Sequence, residues 1–577
     1  MRLSAADLEA GFALACQTVV EGDLEIFIPP QEEITRHLTT EKTAAKVTLP
    51  FEYDWRVHQT VTKHYLELEP PSIADNTDDL SRLERELARC CDTRGLYAPL
   101  SVLRTLAKTL RDADWKVTVV LDREQPERPR IVDILPGDQT LSLYGAAVDI
   151  GTTTVTVYLV DLYSGEVVET AADYNGQIKR GEDVISRIIY ASKNGGGGVI
   201  ELQSLVANTI NRLIERVTIR HKCKPHDIYK MTIVGNSTMI HLLLGLSPDP
   251  IRLTPYITTV NHPPRVVASE LNLNIHPEAT VDCLPGVASF MGADITAGVL
   301  SSGTNRTDKV TLFLDIGTNG EMVLGTSEWL VSCACSAGPA FEGAGVYFGM
   351  RATTGAIEEI WINSKTYEPT YRVIGGGKPR GLCGSGLISL IGEMFITGVT
   401  DKAGNINLAL NTPRVRTGEH GPEYVIAWAN ETDIGKDIVI TKPDIDNLLR
   451  AKAAIYAGYA ILAQSVGMTL GDVEQMLIGG SFGQYLNVEK AIQIGLLPDL
   501  PWDRFHFLGN TAARGAYMAL LRRDARDEVA EIARKMTYIE LSADNTFTDQ
   551  FMAALFLPHT DMSQFPSVAK VLEGEPS

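Results

Sequence analysis

Two short stretches carry residues that could do chemistry. Val148 to Thr154 reads Val-Asp-Ile-Gly-Thr-Thr-Thr, and Leu314 to Glu321 reads Leu-Asp-Ile-Gly-Thr-Asn-Gly-Glu. An Asp closing an apolar run supplies a carboxylate for Mg²⁺, a hard cation usually held through water. The Gly lets the backbone bend, and exposed turn amides with Thr hydroxyls make a concavity suited to polyphosphate oxygens. A second apolar run follows each turn, Val155 to Val160 and Met322 to Leu324. Each stretch therefore predicts strand, tight turn, strand. A Gly-Thr turn can simply close a hairpin, but that does not account for the repeated Asp. Two copies predict duplicated phosphate-binding halves facing each other across a cleft.

The elements that must position these turns follow from the rest of the chain. Its 577 residues exceed what one core supports and suggest roughly three or four domains. The formal net charge of −20 argues against nucleic acid or an anionic membrane as the main partner. No apolar run approaches the roughly 20 residues that span a bilayer, and Met1 to Ala10 has no signal-peptide core. The eight Cys show no framework spacing, so free thiols in a reducing cytoplasm are expected.

Residues 1–28 read as a helix, then Leu14-Ala15-Cys16-Gln17-Thr18, then a strand stopped by Pro29-Pro30. They are too few to bury a core and look like the remnant of a larger domain. Residues 29–59 are polar without periodicity and read as a linker. Residues 60–137 predict a small α/β middle domain. In it Asn76 to Asp79 caps a helix through Arg89, a second helix covers Leu100 to Arg111, and Val117–Leu121 pairs with Ile131–Leu135. The adjacent Cys90 and Cys91 read as packing at a helix end. From 141 to 577 two α/β halves are expected, about 141–309 and 310–577. The first contains a four-Gly run (195–198), expected as a flexible loop, and a helix over Ile200 to Arg216. It also has a strand over Met231 to Val234 and a helix carrying His241, expected as a satisfied core residue. Another helix begins near Gly292 and includes Asp294. The second half has Cys333-Ala334-Cys335, where alternate strand side chains share a face. Gly381 to Gly386 opens a helix to Ile396, and Pro443 to Leu462 is a long helix. Met476 to Ile478 runs into Gly479-Gly480-Ser481, and Phe507-Leu508 into Gly509-Asn510-Thr511, a Gly turn opening a helix.

Asp-Ile-Gly-Thr twice, then an apolar strand and Gly-Gly-Ser, resembles the sugar kinase, heat-shock chaperone and actin superfamily, the ASKHA ATPases. The resemblance spans about 141–520. It implies two ribonuclease-H-like halves around ATP, with Asp149 and Asp315 near Mg²⁺ through water. Gly151, Thr152, Thr153, Gly317, Thr318 and Asn319 would line the phosphates, Gly479, Gly480 and Ser481 would meet the nucleoside, and Gly384, in a further small-residue loop, is counted with the nucleotide-binding residues. Asp294 stands where heat-shock chaperones carry an acid that orders metal and water; its plainer reading is a helix N-cap. Glu321 and Glu342 are further candidate bases, and the residues do not choose between them. Asp149, Asp294, Asp315 and Glu321 form the expected catalytic set.

Within that superfamily the layout resembles the ATP-dependent reductive activators of corrinoid proteins. The phrases that carry this are Leu14-Ala15-Cys16-Gln17, Gly181-Glu182-Asp183-Val184-Ile185-Ser186-Arg187 and Val234-Gly235-Asn236-Ser237-Thr238. The resemblance implies return of an inactivated Co(II) corrinoid to Co(I), with ATP hydrolysis supplying the drive and a [2Fe-2S] cluster the electrons. It implies a homodimer and a corrinoid-protein partner in a methyltransferase system. Cys16 matches only the fourth cluster ligand and the first three are absent, so a chain without the cluster is expected. The rival expectations are a small-metabolite kinase, a radical-dehydratase activator holding a cluster through Cys333 and Cys335, and a nucleotide-gated module that only binds the corrinoid protein.

Overall fold

The structure, a computed structural model, describes residues 51–573 except Thr318, Ala337, Ala344 and 481–485, and omits the side chains of Asn194, Pro339 and Glu342. Residues 1–50 lie outside the described residues. The expectations for 1–28, for Cys16 and for most of 29–59 therefore fall outside them, as do those for Thr318, Ser481 and the Glu342 side chain.

The first described domain is an antiparallel sheet of β1 (Val61–Glu67), β2 (Lys116–Asp122) and β3 (Arg130–Pro136), in that order. Two helices cover it, α1 (Asp79–Cys91) and α2 (Leu100–Asp112). Helix α1 starts where a carboxylate can take an orphan amide: Asp78 accepts the Ser81 N–H at 3.0 Å. Leu83 and Leu87 on α1 and Val102, Leu106 and Leu110 on α2 recur at helical spacing, and bury against Val117, Val119 and Ile131.

The remainder repeats one plan twice. The first sheet has the order β6-β5-β4-β7-β9-β8 and the second β20-β19-β10-β11-β12-β21. In the first, β4 (Tyr144–Ile150), β5 (Thr154–Asp161) and β6 (Val167–Tyr174) form an antiparallel meander. Strand β7 (Ile228–Gly235) runs parallel beside β4, and β9 (Thr280–Cys283) parallel beside β7; β8 (Val266–Val267) is a short edge. The second sheet does the same with β10 (Thr311–Ile316), β11 (Gly320–Gly325) and β12 (Leu330–Cys335), then β19 (Gln475–Gly479) and β20 (Phe505–Gly509); β21 (Met536–Tyr538) closes the edge. Between β12 and β19 lie two three-stranded sheets, of β13 (Ala356–Ile362), β14 (Pro369–Val373) and β15 (Gly381–Leu382) and of β16 (Val415–Gly418), β17 (Gly421–Ala427) and β18 (Ile438–Thr441), and two helices, α7 (Gly384–Ile396) and α8 (Lys442–Ser465).

Helices cover the outer and inner sheet faces. On the first sheet α3 (Val184–Ala191) precedes α4 (Gly197–His221), whose Leu202, Val206, Ile210, Leu213 and Val217 pack on it. The four-Gly run is not a free loop. Gly197 and Gly198 are the first residues of α4, and a side chain on Gly198 would lie 2.2 Å from the Tyr190 carbonyl oxygen. Glycine is there because two helix ends meet. After β7 comes α5 (Ser237–Leu243), after β9 comes α6 (Ala293–Ser302), and after β20 comes α10 (Thr511–Leu521), which follows the short α9 (Val488–Gln493).

Helices α6 and α10 occupy equivalent places in the two repeats and pack on each other between the sheets. A Cβ on Gly515 would sit 2.2 Å from the Ala297 oxygen, and one on Gly298 would sit 2.8 Å from the Phe313 ring. Ala297, Val299, Ala516, Tyr517 and Leu520 share this core with Ala147 and Val160 of the first sheet and Phe313 and Leu477 of the second. Glycine and alanine at the crossing bring the strand ends of both sheets to one place, because packed interiors tolerate no overlap.

Candidate active site

The two Asp-bearing turns meet at the start of α10. In each hairpin the Gly amide reaches across the turn: Gly151 N–H to Thr154 oxygen and Gly317 N–H to Asn319 oxygen, both at 2.9 Å. The register puts Asp149 opposite Thr156, and Asp315 opposite Glu321. In the parallel direction Asp149 lies beside Val234, and Asp315 beside Gly479. Asn510 Nδ2 donates to Asp149 Oδ2 at 2.9 Å, and the next hydroxyl, Thr511 Oγ1, donates to Asp315 Oδ2 at 3.4 Å. Two adjacent residues thus touch one carboxylate from each half. Asp294, second residue of α6, takes its own Ile295 amide on Oδ1 at 2.9 Å. Gly292 occupies the N-cap position of α6, so the cap reading of Asp294 is corrected: its carboxylate faces the other acids.

Burial and mutual repulsion dominate the electrostatics of this cluster. All four carboxylates keep a part-exposed edge while lying deep between the sheets. Burial pushes Asp149 up to about 6, against an opposing hydrogen bond from Asn510 and with repulsion from Asp315. Burial pushes Asp315 up to about 6 against the bond from Thr511. Asp294 rises to about 7, from burial first and then from repulsion by Asp149 and Asp315. Glu321 is driven well above the usual carboxylate range by burial, Asp294 and Asp315, against a hydrogen bond from Asn319. No basic side chain among the described residues offsets the charge of Asp149 or Asp315. Packing like charges without a counter-cation is costly, so the donor set fits a hard divalent ion. Among the described residues no three His, Cys, Asp or Glu side chains converge tightly enough to hold a metal by themselves.

The first turn is braced from behind. Arg187, fully buried, donates from Nη2 to the Thr152 carbonyl at 2.5 Å and from Nε to the Gly181 carbonyl at 2.9 Å. Asn236, N-cap of α5, donates to Thr152 Oγ1 at 3.0 Å. Thr152 is therefore turned inward, whereas Thr153 keeps an exposed edge. In the second half Gly479 and Gly480 lie against the Asp315 turn. A Cβ on Gly480, whose φ is +87°, would sit 2.6 Å from the Ile316 oxygen and 3.0 Å from Asp315 Oδ1. Gly384 starts α7 and is buried; its neighbours Cys383 and Gly386 abut Ile357 on the adjoining sheet.

Asn510, Thr511, Arg187 and Asn236 had no role in the sequence expectations. Arg187 and Asn236 lie in two of the phrases that carried the family resemblance, and Asn510 and Thr511 in the Gly turn that opens a helix, but nothing local gave them a role. His241 is a satisfied core residue. Its Nε2 accepts the Thr259 N–H at 3.0 Å, so Nδ1 carries the proton and donates to the Ser237 carbonyl at 2.6 Å. Cys333 and Cys335 are buried on β12, with Cys333 Sγ against the Gly458 carbonyl of α8 at 3.6 Å. All seven described cysteines are free thiols. No helix among the described residues is long and apolar enough to cross a membrane.

Comparison with known proteins places this site in a family. Residues 309–569 match the C-terminal ASKHA domain of RACo, 144–307 its middle region and 52–141 its linker region. The chain belongs to the RACo family. A solved structure of a reductive activator for corrinoid, iron-sulfur protein is 44% identical, with a TM-score of 0.81, over 98% of this chain and 90% of that one. The corrinoid activation enzyme RamQ of Eubacterium limosum is 34% identical over 550 residues, 93% of this chain and 88% of that protein. The [Co(II) methylated amine-specific corrinoid protein] reductase of Methanosarcina barkeri is 23% identical over 444 residues, 72% of this chain and 77% of that protein. RACo family membership thus covers both hairpins, α6 and α10, and the ASKHA fold expected from the repeated motif is the fold of this chain.

Proposed function

We propose that this chain is an ATP-dependent reductive activator that returns a corrinoid protein from Co(II) to Co(I). The observation that carries the reading is 44% identity, over 98% of the chain, to a reductive activator for corrinoid, iron-sulfur protein. The paired carboxylate turns support the ATP half. In this reading Asp149 and Asp315 hold Mg²⁺ through water, and the turns at Gly151–Thr153 and Gly317–Asn319 cradle the phosphates. Gly479, Gly480 and Ser481 meet the nucleoside, and Gly384 belongs to the surrounding loop. Bound Mg²⁺ would neutralise phosphate charge and relieve the mutual repulsion of the acids. Asp294 has Oδ1 committed to the Ile295 amide, which leaves Oδ2 to take a proton from a water attacking the terminal phosphate. A value near 7 is the range in which a general base works best at neutral pH. Glu321, opposite Asp315 in the second hairpin, is a further carboxylate of the same cluster.

ATP is needed because cobalt reduction to Co(I) is steeply uphill for a ferredoxin-type donor near −400 mV. Two halves that close on nucleotide form a two-state element, and a ligand shifts it by its differential affinity for the two states. The corrinoid protein, gripped by one state, would be reduced by one electron from a low-potential iron-sulfur donor. No electron-transfer step is assigned to the described residues, since no cluster-binding set converges among them. Action as a homodimer in the cytoplasm belongs to the same proposal.

The test mixes the chain with a Co(II) corrinoid protein and a low-potential one-electron donor, and follows the cobalt absorption spectrum. Co(I) is expected to accumulate only with Mg²⁺ and ATP. Phosphoryl transfer to a hydroxylated metabolite, with no ATP effect on cobalt, would instead make the chain a kinase.

A further inference from the structure

One dipeptide touches an acid of each half. Asn510 does two things at once: its Oδ1 accepts the Ala513 N–H at 2.8 Å, capping α10, and its Nδ2 donates to Asp149 at 2.9 Å. The cap fixes which way the amide faces. Capping alone would be served as well by Asp or Ser, but Asn carries a second, separate donor group that reaches a carboxylate of the other half. Thr511, β-branched and so a poor choice for a first helical turn on propensity, places its hydroxyl on Asp315. Space for that hydroxyl comes from Gly479, where a Cβ would lie 2.7 Å from Thr511 Oγ1 and 3.2 Å from Asp315 Oδ2. The Thr511 carbonyl accepts Ser301 Oγ–H of α6 at 2.8 Å, so the first half grips the same turn from below. In the first repeat the equivalent place, the start of α6, carries Asp294.

Resting on the ATP-site reading above, we propose that Asn510 and Thr511 are positioning residues that set Asp149 and Asp315 in register around the metal-bound polyphosphate. They touch neither reacting atom. They couple the halves by holding one carboxylate of each from consecutive positions on a single helix. Closure of the cleft then delivers both acids together, and loosening either bond leaves one acid free to swing while the nucleotide still binds.

The experiment compares Asn510→Ser, Thr511→Val and Thr511→Ser in the full chain. Serine at 510 keeps the cap but is too short to reach Asp149; valine at 511 keeps the shape and loses the hydroxyl; serine at 511 restores it. Steady-state ATP hydrolysis gives kcat, KM and the Mg²⁺ concentration for half-maximal rate, and ADP binding in EDTA reports nucleotide affinity without metal. Loss of a hydrogen bond to a charged group is expected to lower kcat roughly tenfold or more and to raise the Mg²⁺ requirement several-fold. KM for ATP and ADP affinity in EDTA should stay within about threefold, and Thr511→Ser should work nearly as well as the parent. Wild-type kcat and Mg²⁺ dependence in Asn510→Ser and Thr511→Val would overturn the proposal. So would a Thr511→Ser chain as impaired as Thr511→Val, which would make the residue a packing element. If Asn510→Ser does not fold, the Thr511 pair decides by itself. A wild-type chain that neither binds nor hydrolyses ATP would instead remove the nucleotide reading on which the positioning role rests.

Discussion

Replacing Asp294 by Asn should make the nucleotide-free chain more stable at alkaline pH and nearly inactive. Asp294 sits at about 7 instead of 3.8, through burial and the repulsion of Asp149 and Asp315. Ionising it in the empty cleft costs roughly 4 kcal/mol at 1.36 kcal/mol per pH unit. The side chain keeps an edge toward solvent, so screening reduces this to about 2 kcal/mol. The folded value lies above the unfolded one, so the folded chain retains a proton that the unfolded chain releases between about pH 4 and 7. Stability from this group is therefore lost as pH rises through that window, and the full penalty applies above it. In EDTA, Asp294→Asn should melt above wild type at pH 8, by a few degrees, and close to wild type at pH 4.5. Hydrolysis at saturating Mg²⁺ and ATP should fall by roughly 10²- to 10⁴-fold, the usual size of a general-base contribution. Thermal melts at the two pH values, with a phosphate-release assay, measure both effects. A variant that melts below wild type at pH 8, or by a pH-independent difference, would refute the argument that Asp294 is held against its neighbours' charge.

Gly480→Ala should weaken ATP binding about tenfold, because L side chains pay roughly 1–2 kcal/mol at positive φ and the new Cβ meets the Ile316 oxygen; a nucleotide titration reads this. Gly515→Val should lower the melting temperature by several degrees, since overpacking costs typically 1–3 kcal/mol and α10 would be forced off Ala297. Arg187→Met strips the donors from the Thr152 and Gly181 carbonyls. Roughly 1–3 kcal/mol per orphaned acceptor should appear as a lower melting temperature together with a raised KM for ATP.

The hairpins were legible because their signal is local: Asp, Ile, Gly and Thr within four residues state a turn and its charge. The helices of the small domain were legible for the same reason, through Asp78 and the spacing of Leu83, Leu87, Val102, Leu106 and Leu110. Asn510 and Arg187 were not. Asn510 is an ordinary capping residue until the fold brings Asp149 beside it, and Arg187 looks like a solvated charge on a short helix until Thr152 closes over it. The four-Gly run shows the opposite failure. Local flexibility suggested a loop, but the close approach of Gly198 to Tyr190 makes those residues a helix start. Asp294 was ambiguous between cap and acid, and the position of Gly292 removes the cap reading.

The central claim is that two Asp-bearing turns clasp one metal-bound triphosphate. Calorimetric titration of ATP into the wild-type chain and into an Asp149→Asn/Asp315→Asn chain, each with and without Mg²⁺, tests it most directly. The account predicts one ATP per wild-type chain, with affinity that depends on Mg²⁺, and an affinity in the double variant that no longer responds to Mg²⁺. Equal Mg²⁺ dependence in the two chains would contradict it.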